Sequence, residues 1–395
     1  MKITDIKCAV IGGQPTIRIT TDTGPTGYGQ AERAKHYIKP YVLFYRDYLI
    51  GEDPRDVGRV VQRIRKLGSF KPWGSAVSSI EMALWDIAGK AAGLPIHRLL
   101  GGKVRDRVRV YRTSGYERRG TEPQHYADTV RLALADPAGY TIIKQGIGFH
   151  STMPADVPGF HYGDPRLGPP HPNGGLLTER GLAHMVACVA AMREVTGDAV
   201  GLALDCGPGW TVQDAIRFGR AIEPYNIMWM EDLLTGDYTP YVNAAEYREV
   251  TRATSTPTHT GEQIYLRNNF RELIETNAVR VVGPDPLDVG GLAEIKWIAE
   301  YADLHGVLMA PHGIGNGLLG LAAIVQTAAT MPDNYIASEC PSASTEWWPA
   351  IVDWLPDPLI RDGHIDVWDR PGLGVSLVPE KAAKYLRDED RDFFD

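Results

Sequence analysis

Residues 200–205 of the chain read VGLALD, an apolar run that ends in an acid. Two later runs repeat the pattern: IMWME ends at Glu231 and THTGE ends at Glu262, so the acids follow one another after 26 and then 31 residues. That distance is about one strand plus one helix, and in a parallel barrel it places successive strand ends side by side at one mouth. Three converging carboxylates repel one another unless a hard divalent cation lies among them. Asp205, Glu231 and Glu262 therefore predict a Mg²⁺ site, with one ion per subunit.

The alternation of strand and helix extends on both sides of these runs. Helical patterns such as Leu177–Val195, Thr211–Tyr225 and Gly291–His305 separate the apolar runs. Seven or eight such units predict an α/β fold built as a parallel barrel. An open doubly wound sheet is the alternative, but no glycine-rich phosphate fingerprint opens any of the helices. The predicted strands lie at 107–112, 140–144, 200–205, 227–231, 256–260, 279–284, 306–311 and 335–338.

The first hundred residues have a different pattern, which predicts a small α+β domain. Residues 2–10 and 15–21 alternate like strands on either side of a double-glycine turn. Ser78 is expected to cap the start of a helix, with Glu81 completing a capping box. The predicted domains are an N-terminal α+β domain at 1–106, the barrel at 107–340 and a C-terminal segment at 341–395 that returns to the first domain.

Composition restricts the class of partner. The 395-residue chain has a net charge of −8 and a pI near 5.8, which argues against a nucleic-acid or anionic-membrane surface. Its four cysteines show no CxxC spacing and are expected to be buried thiols in a reducing compartment rather than disulfides or zinc ligands. The N-terminus does not resemble a signal peptide, and no apolar stretch is long enough to span a membrane. A cytoplasmic protein is expected.

Charged residues also end other predicted strands. An apolar run ends at each of four further residues, Lys144, Asp285, His312 and Glu339. One such residue would not indicate a functional site, but a series of them at the same barrel mouth does. Asp285 is expected to hydrogen-bond His312, fix its tautomer and stabilise the imidazolium. His312 then acts as a general base that removes the proton α to a carboxylate held by the cation. Glu339 donates a proton or hydrogen bond to that carboxylate, provided that its pKa is raised.

Several short motifs accompany these residues. They are SIEMALWD at 79–86 followed by GK at 89–90, LLGG at 99–102, PD at 284–285, GG at 290–291, PH at 311–312 and PGLG at 371–374. With the three metal acids and Glu339, they resemble the mandelate racemase-like branch of the enolase superfamily over nearly the full chain. The resemblance implies a (β/α)7β TIM-like barrel, a capping domain made from both chain ends, Mg²⁺-assisted proton abstraction α to a carboxylate, and homo-oligomers from dimer to octamer.

The chain departs from the racemases of this branch at two positions. Their Lys-x-Lys pair reads Lys144-Gln145-Gly146 here, so that glycine stands where the second base is expected. Many sugar-acid dehydratases of the family carry His or Asn two residues after the first metal acid, and Gly207 holds that place. A racemase needs a base on each face of its substrate, whereas His312 alone can serve a syn elimination. Lys144 contacts the substrate carboxylate or forms a structural ion pair with a metal-binding acid.

A long segment at 145–176, rich in Gly, Pro and His, follows the second predicted barrel strand. It is interpreted as a lid or substrate loop, with an oligomer contact as the alternative. Its length resembles that of the loop in mannonate and related sugar-acid dehydratases, although their loop arginine is missing. Tyr162 is the candidate proton donor of the lid, and His161 a candidate substrate contact. Further substrate contacts are expected from the capping region and the C-terminal segment, at Gln14, Trp73 and Trp348.

These residues favour a Mg²⁺-dependent hydro-lyase. It would remove the α-proton of a small acid-sugar or hydroxy-acid substrate and eliminate water to give a 2-keto acid. One alternative is a racemase or epimerase that takes a second base from the lid. The other is a binding or regulatory protein that keeps the metal site without turnover.

Overall fold

The computed structural model describes residues 1–67, 74–114, 120–162, 176–234, 242–313, 315–340 and 347–395. A three-stranded antiparallel sheet with helices against it forms the N-terminal region. Its strands are β1 (Ile3–Ile11), β2 (Gln14–Thr21) and β3 (Gly27–Gln30). Its helices are α1 (Lys39–Phe44), α2 (Arg46–Leu49), α3 (Val57–Leu67), α4 (Gly74–Ala92) and α5 (Ile96–Leu99).

Eight parallel strands follow, and each of the first six pairs with the next along the chain. They are β4 (Arg107–Ser114), β5 (Ile142–Gly146), β6 (Gly201–Asp205), β7 (Met230–Glu231), β8 (Thr258–Thr260), β9 (Val281–Val282), β10 (Leu308–Met309) and β11 (Ser338–Cys340). Helices outside them are α6 (Pro123–Leu134), α7 (Met153–Asp156), α8 (Glu179–Thr196), α9 (Val212–Ala221), α10 (Ala244–Ala253), α11 (Arg271–Glu275), α12 (Leu292–Leu304) and α13 (Leu318–Ala328).

Backbone hydrogen bonds close these strands into a ring. β11 pairs in parallel with β4, and the last gap is bridged where Ile336 N donates to Met309 O at 2.8 Å and Glu339 N donates to Pro311 O at 2.9 Å. Seven strand–helix units and a final strand give the (β/α)7β order, so the predicted TIM-like barrel is confirmed. In such a barrel the residues that follow the strands meet at one mouth.

The C-terminal residues run back across both parts. β12 (His364–Asp366) adds antiparallel to β4, and α14 (Pro379–Ala382) follows it. Gly12 N donates to Tyr385 O at 2.9 Å, and Val10 N donates to Asp390 Oδ2 at 2.8 Å, so the chain end lies against β1. Short 3₁₀ helices lie at His36–Ile38, Gly148–His150, Glu223–Tyr225, Arg267–Asn269, Trp348–Ala350, Ala383–Tyr385 and Asp388–Phe394. Within the described ranges, no helix is both long and apolar enough to cross a membrane.

Helix α4 begins before the cap that the sequence predicts. It starts at Gly74, and Ser78 lies inside it, with its hydroxyl donating to Gly74 O at 2.8 Å. The prediction of a capping box is therefore wrong, because burial of the first turn extends the helix beyond the local signal. Glu81 instead accepts hydrogen bonds at the start of α12, from Leu292 N at 2.8 Å and Ala293 N at 3.0 Å. The N-terminal region thus caps a barrel helix.

Removing this cap should loosen the two parts from each other. We expect Glu81→Ala to lower the free energy of unfolding by about 3 kcal/mol, because it leaves two buried N–H groups without an acceptor. Glu81→Gln keeps one acceptor oxygen, and burial already raises the pKa of Glu81 to about 7, so the amide should cost much less. Urea unfolding followed by circular dichroism measures both variants. Equal stability of Glu81→Ala and wild type would contradict this account.

Candidate active site

The three predicted metal acids lie at adjacent strand ends. Asp205 ends β6, Glu231 ends β7 directly beside it in register, and Glu262 lies two residues beyond β8. All three are buried, with 5%, 0% and 8% of their surfaces exposed. Burial raises the pKa of Glu262 to about 7, His312 opposes that rise, and the charges of Asp205 and Glu231 add to it. Buried carboxylates that repel one another form a hard oxygen donor set, which fits Mg²⁺.

A further acid, Asp232, groups with Glu231 and Glu262, and this group does not include Asp205. Oxygens of Glu231, Asp232 and Glu262 lie within 4.8 Å of one another and could hold a metal ion. Asp232 was not predicted, although it directly follows Glu231 in the chain. Its backbone has a φ of 48°, and its Oδ1 accepts a hydrogen bond from Thr260 Oγ1 at 2.8 Å. One of its oxygens is thus already held by the neighbouring strand.

Lys144 lies between the acids. Its side chain is 1% exposed, and its Nζ lies 2.5 Å from Glu231 Oε1, 3.1 Å from Glu339 Oε1 and 3.5 Å from Asp205 Oδ2. Burial would lower the pKa of Lys144, but Glu231 and Glu339 raise it well above its ordinary value. The ammonium group therefore stays charged and offsets part of the negative charge in the barrel mouth.

His312 and Asp285 form a buried pair. His312 Nδ1 lies 2.7 Å from Asp285 Oδ2, and Asp285 Oδ1 accepts from Leu287 N at 2.6 Å, which fixes the carboxylate. The other ring nitrogen faces the acids, 3.1 Å from Glu262 Oε2 and 3.5 Å from Glu339 Oε2. Burial would lower the pKa of His312, but Glu262 and Glu339 raise it well above the ordinary value. The imidazole is thus aimed where a ligand of the acids would lie.

Glu339 cannot play the part that the sequence suggested. Burial would raise its pKa, but Lys144 and His312 lower it to about 2. Its oxygens accept hydrogen bonds from Thr113 Oγ1 and, at 3.0 Å, from Gly313 N. The expectation of proton donation required a raised pKa, so it is corrected: Glu339 is ionised and accepts.

Two aromatic side chains, Trp229 and His259, lie beside the carboxylate of Glu231. Trp229 Nε1 donates to Glu231 Oε2 at 2.9 Å, and the ring of His259 stacks on Trp229 with centroids 5.4 Å apart. Trp229 lies two residues before Glu231 and so points to the same side of its strand. That alternation was the signal that could have identified it. The indole orients the carboxylate that Lys144 also contacts.

The other predicted contacts are an exposed tyrosine, a stacked histidine, two buried side chains and one residue outside the described part of the chain. Tyr162 is 76% exposed, so its ring lies in solvent. His161 stacks on Phe149 with centroids 6.1 Å apart. Gln14 and Trp348 are 4% and 2% exposed and line a small cavity between the N-terminal sheet and α13. The remaining candidate, Trp73, lies outside the described residues.

Comparison with known families agrees with this site. Residues 128–382 match the Enolase C-terminal domain-like family, and residues 13–101 match the Mandelate racemase / muconate lactonizing enzyme, N-terminal domain. The chain belongs to the enolase superfamily. Within it, both matches assign the chain to the mandelate racemase/muconate lactonizing enzyme-like group.

Relatives of the chain are named as sugar-acid dehydratases. A D-xylonate dehydratase from Haloferax volcanii is 32% identical over 384 residues, which cover 95% of this chain and 87% of the relative. A D-mannonate dehydratase from Caulobacter sp. (strain K31) is 30% identical over 94% of this chain and 90% of the relative. A mandelate racemase/muconate lactonizing enzyme-like protein from Rubrobacter xylanophilus has a structure that matches with a TM-score of 0.82 at 32% identity over 98% of each chain.

Lys144→Met should destabilise the protein in a pH-dependent way. In the wild type the lowered pKa of Glu339 contributes stability that is present above its unfolded value of 4.5 and lost as pH falls toward 2. Without the ammonium group the buried acids resist ionisation, so the loss should reach about 3–5 kcal/mol near pH 7 and shrink in acid. Urea unfolding in EDTA at about pH 7 and pH 3.5 measures this, with Lys144→Arg as the charge-preserving control. A loss that is independent of pH would contradict it.

Proposed function

We propose that this protein is a Mg²⁺-dependent dehydratase of acid sugars that converts its substrate to a 2-keto acid. The observation that carries the proposal is the His312–Asp285 pair, whose free nitrogen faces a cluster of buried carboxylates. The relatives named as D-xylonate and D-mannonate dehydratases support the same reaction class. The relatives' names support a hydro-lyase of the enolase superfamily, to which we add Mg²⁺ as the metal and an acid sugar as the substrate.

Asp205, Glu231 and Glu262 are the proposed Mg²⁺ ligands. Bound there, Mg²⁺ would hold the substrate carboxylate and stabilise the negative charge that develops on it. Lys144 contributes a second positive charge beside Glu231, and Trp229 keeps that carboxylate oriented. The protein thus arranges positive charge where the carboxylate of the substrate gains electron density.

His312 is the proposed base. Burial would lower the pKa of His312, but without a cation Glu262 and Glu339 hold it well above its ordinary value; a cation bound among the acids would offset their charge and leave the imidazole neutral. Its Nε2 then takes the proton from the carbon next to the substrate carboxylate, while Asp285 stabilises the imidazolium through Nδ1. The electrons of the broken C–H bond move onto the carboxylate and then form the C2=C3 double bond as the C3 hydroxyl leaves. The enol that results takes a proton at C3 and becomes the 2-keto acid.

A panel of acid sugars tests the reaction. With Mg²⁺, the wild type should form a 2-keto acid from at least one aldonic acid, and in D₂O the product should carry deuterium at C3. His312→Asn should lower kcat by about 10²–10⁴-fold, since it removes the base. Keto-acid formation measured by semicarbazide absorbance, with NMR of the product, gives both results. Exchange of the α-proton with inversion and without loss of water would identify an epimerase instead.

Metal affinity tests the ligand set. Asp205→Asn should weaken Mg²⁺ binding by more than about a hundredfold, because it removes a charged ligand, whereas Asp232→Asn should cost only about tenfold. Asp232 is the comparison variant, since one of its oxygens lies within 4.8 Å of oxygens of Glu231 and Glu262, and its Oδ1 accepts a hydrogen bond from Thr260 Oγ1. Isothermal titration calorimetry with Mg²⁺ measures both. The opposite ranking would make Asp232 the ligand in place of Asp205.

From the sequence we further propose that the protein is cytoplasmic and forms a homo-oligomer between dimer and octamer. We also propose that its partner is a small carboxylate substrate and not a nucleic acid or a membrane. The same proposal divides the chain into a capping domain at 1–106, a barrel at 107–340 and a returning segment at 341–395.

A further inference from the structure

Gly146 and Gly207, the two glycines singled out in the sequence, have a common neighbour. A Cβ built on Gly207 would lie 2.6 Å from the Cβ of His150, and one built on Gly146 would lie 3.0 Å from its Cδ2. His150 therefore occupies the space that side chains at either position would need. The sequence suggests that this side of the site has no acid/base group. In the structure the imidazole of His150 lies there.

The backbone fixes His150 in that place. It ends the 3₁₀ helix Gly148–His150, and its N–H donates to Ile147 O at 3.1 Å and to Cys206 O at 3.0 Å. Those bonds tie it to the segments that directly follow β5 and β6. Gly207 has a φ of 62°, a left-handed conformation that favours glycine. The turn after Asp205 and the position of His150 thus depend on the same residue.

His150 and His312 approach the acids from different sides. In the closed ring of eight strands, β6 lies four places from β10, which is diametrically across the barrel. His150 Nδ1 lies 3.3 Å from Asp205 Oδ1 at the end of β6, while His312 follows β10. The side chain of His150 is 23% exposed against 6% for His312, so it lies nearer the opening of the site.

We propose that His150 is a second catalytic residue, which contacts the leaving hydroxyl of the substrate and gives it a proton. This inference rests on the proposed dehydration. As the C3–O bond breaks, its electron pair stays on oxygen, which takes a proton from the imidazolium of His150 and departs as water. His312 holds the proton removed from C2, so one imidazole gains a proton and the other loses one. The substrate is thus converted to one 2-keto acid and one water, and no other reactant is needed.

This assignment changes the expected stereochemistry. A single base that both removes the α-proton and protonates the hydroxyl must act from one face. Two imidazoles on opposite sides of the ring act from opposite faces, which corresponds to anti elimination. The rival role for His150 is purely positional: it would orient Asp205 as a metal ligand and make no contact with substrate.

The experiment separates the two proton transfers. In D₂O, wild type, His150→Gln and His312→Asn are each given an acid sugar that the wild type dehydrates, and both α-proton exchange and keto-acid formation are followed by NMR. We expect His150→Gln to lower keto-acid formation by about 10²–10⁴-fold while exchange at C2 continues. His312→Asn should lose both. His305→Gln, directly after α12, is the matched control and should behave as wild type.

Other results overturn the inference in distinct ways. Full dehydration by His150→Gln would show that His150 is not the acid. Loss of both exchange and dehydration, with Mg²⁺ affinity lowered in calorimetry, would assign it the positional role at Asp205. Loss of both with Mg²⁺ affinity unchanged would make it part of α-proton removal. A wild type that forms no keto acid from any acid sugar refutes the proposed function itself, and so differs from each of these.

Discussion

The site depends on the ion pairs between the buried ammonium group of Lys144 and the carboxylates around it. Asp205, Glu231 and Glu339 all lie within 3.5 Å of it, and none of them has more than 5% of its surface exposed. Burying that many carboxylates is unfavourable unless positive charge accompanies them. Among the described residues of the mouth, Lys144 and His312 supply positive charge but remain outnumbered by the acids around them. The remaining excess of negative charge is the physical reason to place a divalent cation here.

Regular spacing made the barrel and the His312–Asp285 contact predictable. Parallel strands of one barrel end at one mouth, so residues 23 to 31 positions apart in the sequence meet in space. Asp285 and His312, 27 residues apart, come to lie 2.7 Å from each other by this rule alone. The rule concerns strand ends, and it therefore says nothing about residues that reach the mouth from loops or from another domain.

The features that sequence analysis missed depend on contacts distant in the chain. Glu81 fits a capping box, but its oxygens bond to a helix more than two hundred residues away, because tertiary packing extends α4 past Ser78. Glu339 needed a raised pKa to donate a proton, and two cations from other strands lower it instead. Asp232 directly follows a recognised acid and joins its cluster through a positive φ that an ordinary strand would not have. Each outcome was decided by neighbours that no local pattern names.

His150 gives the glycines at positions 146 and 207 a single explanation. Taken separately, Gly146 and Gly207 are two positions without an acid/base side chain. Together they leave the space that the imidazole of His150 occupies, since a Cβ at either position would lie 3.0 Å or less from His150. A strand-end base is fixed by its strand, whereas His150 belongs to a 3₁₀ turn held by two backbone carbonyls, so its position changes with the loop. The segment 145–176 would then contribute to chemistry through its first turn, close to the strand. With His150 in this role, the exposed Tyr162 is not required for a second proton transfer. A site with glycine at positions 146 and 207 can therefore still have two proton-transfer groups.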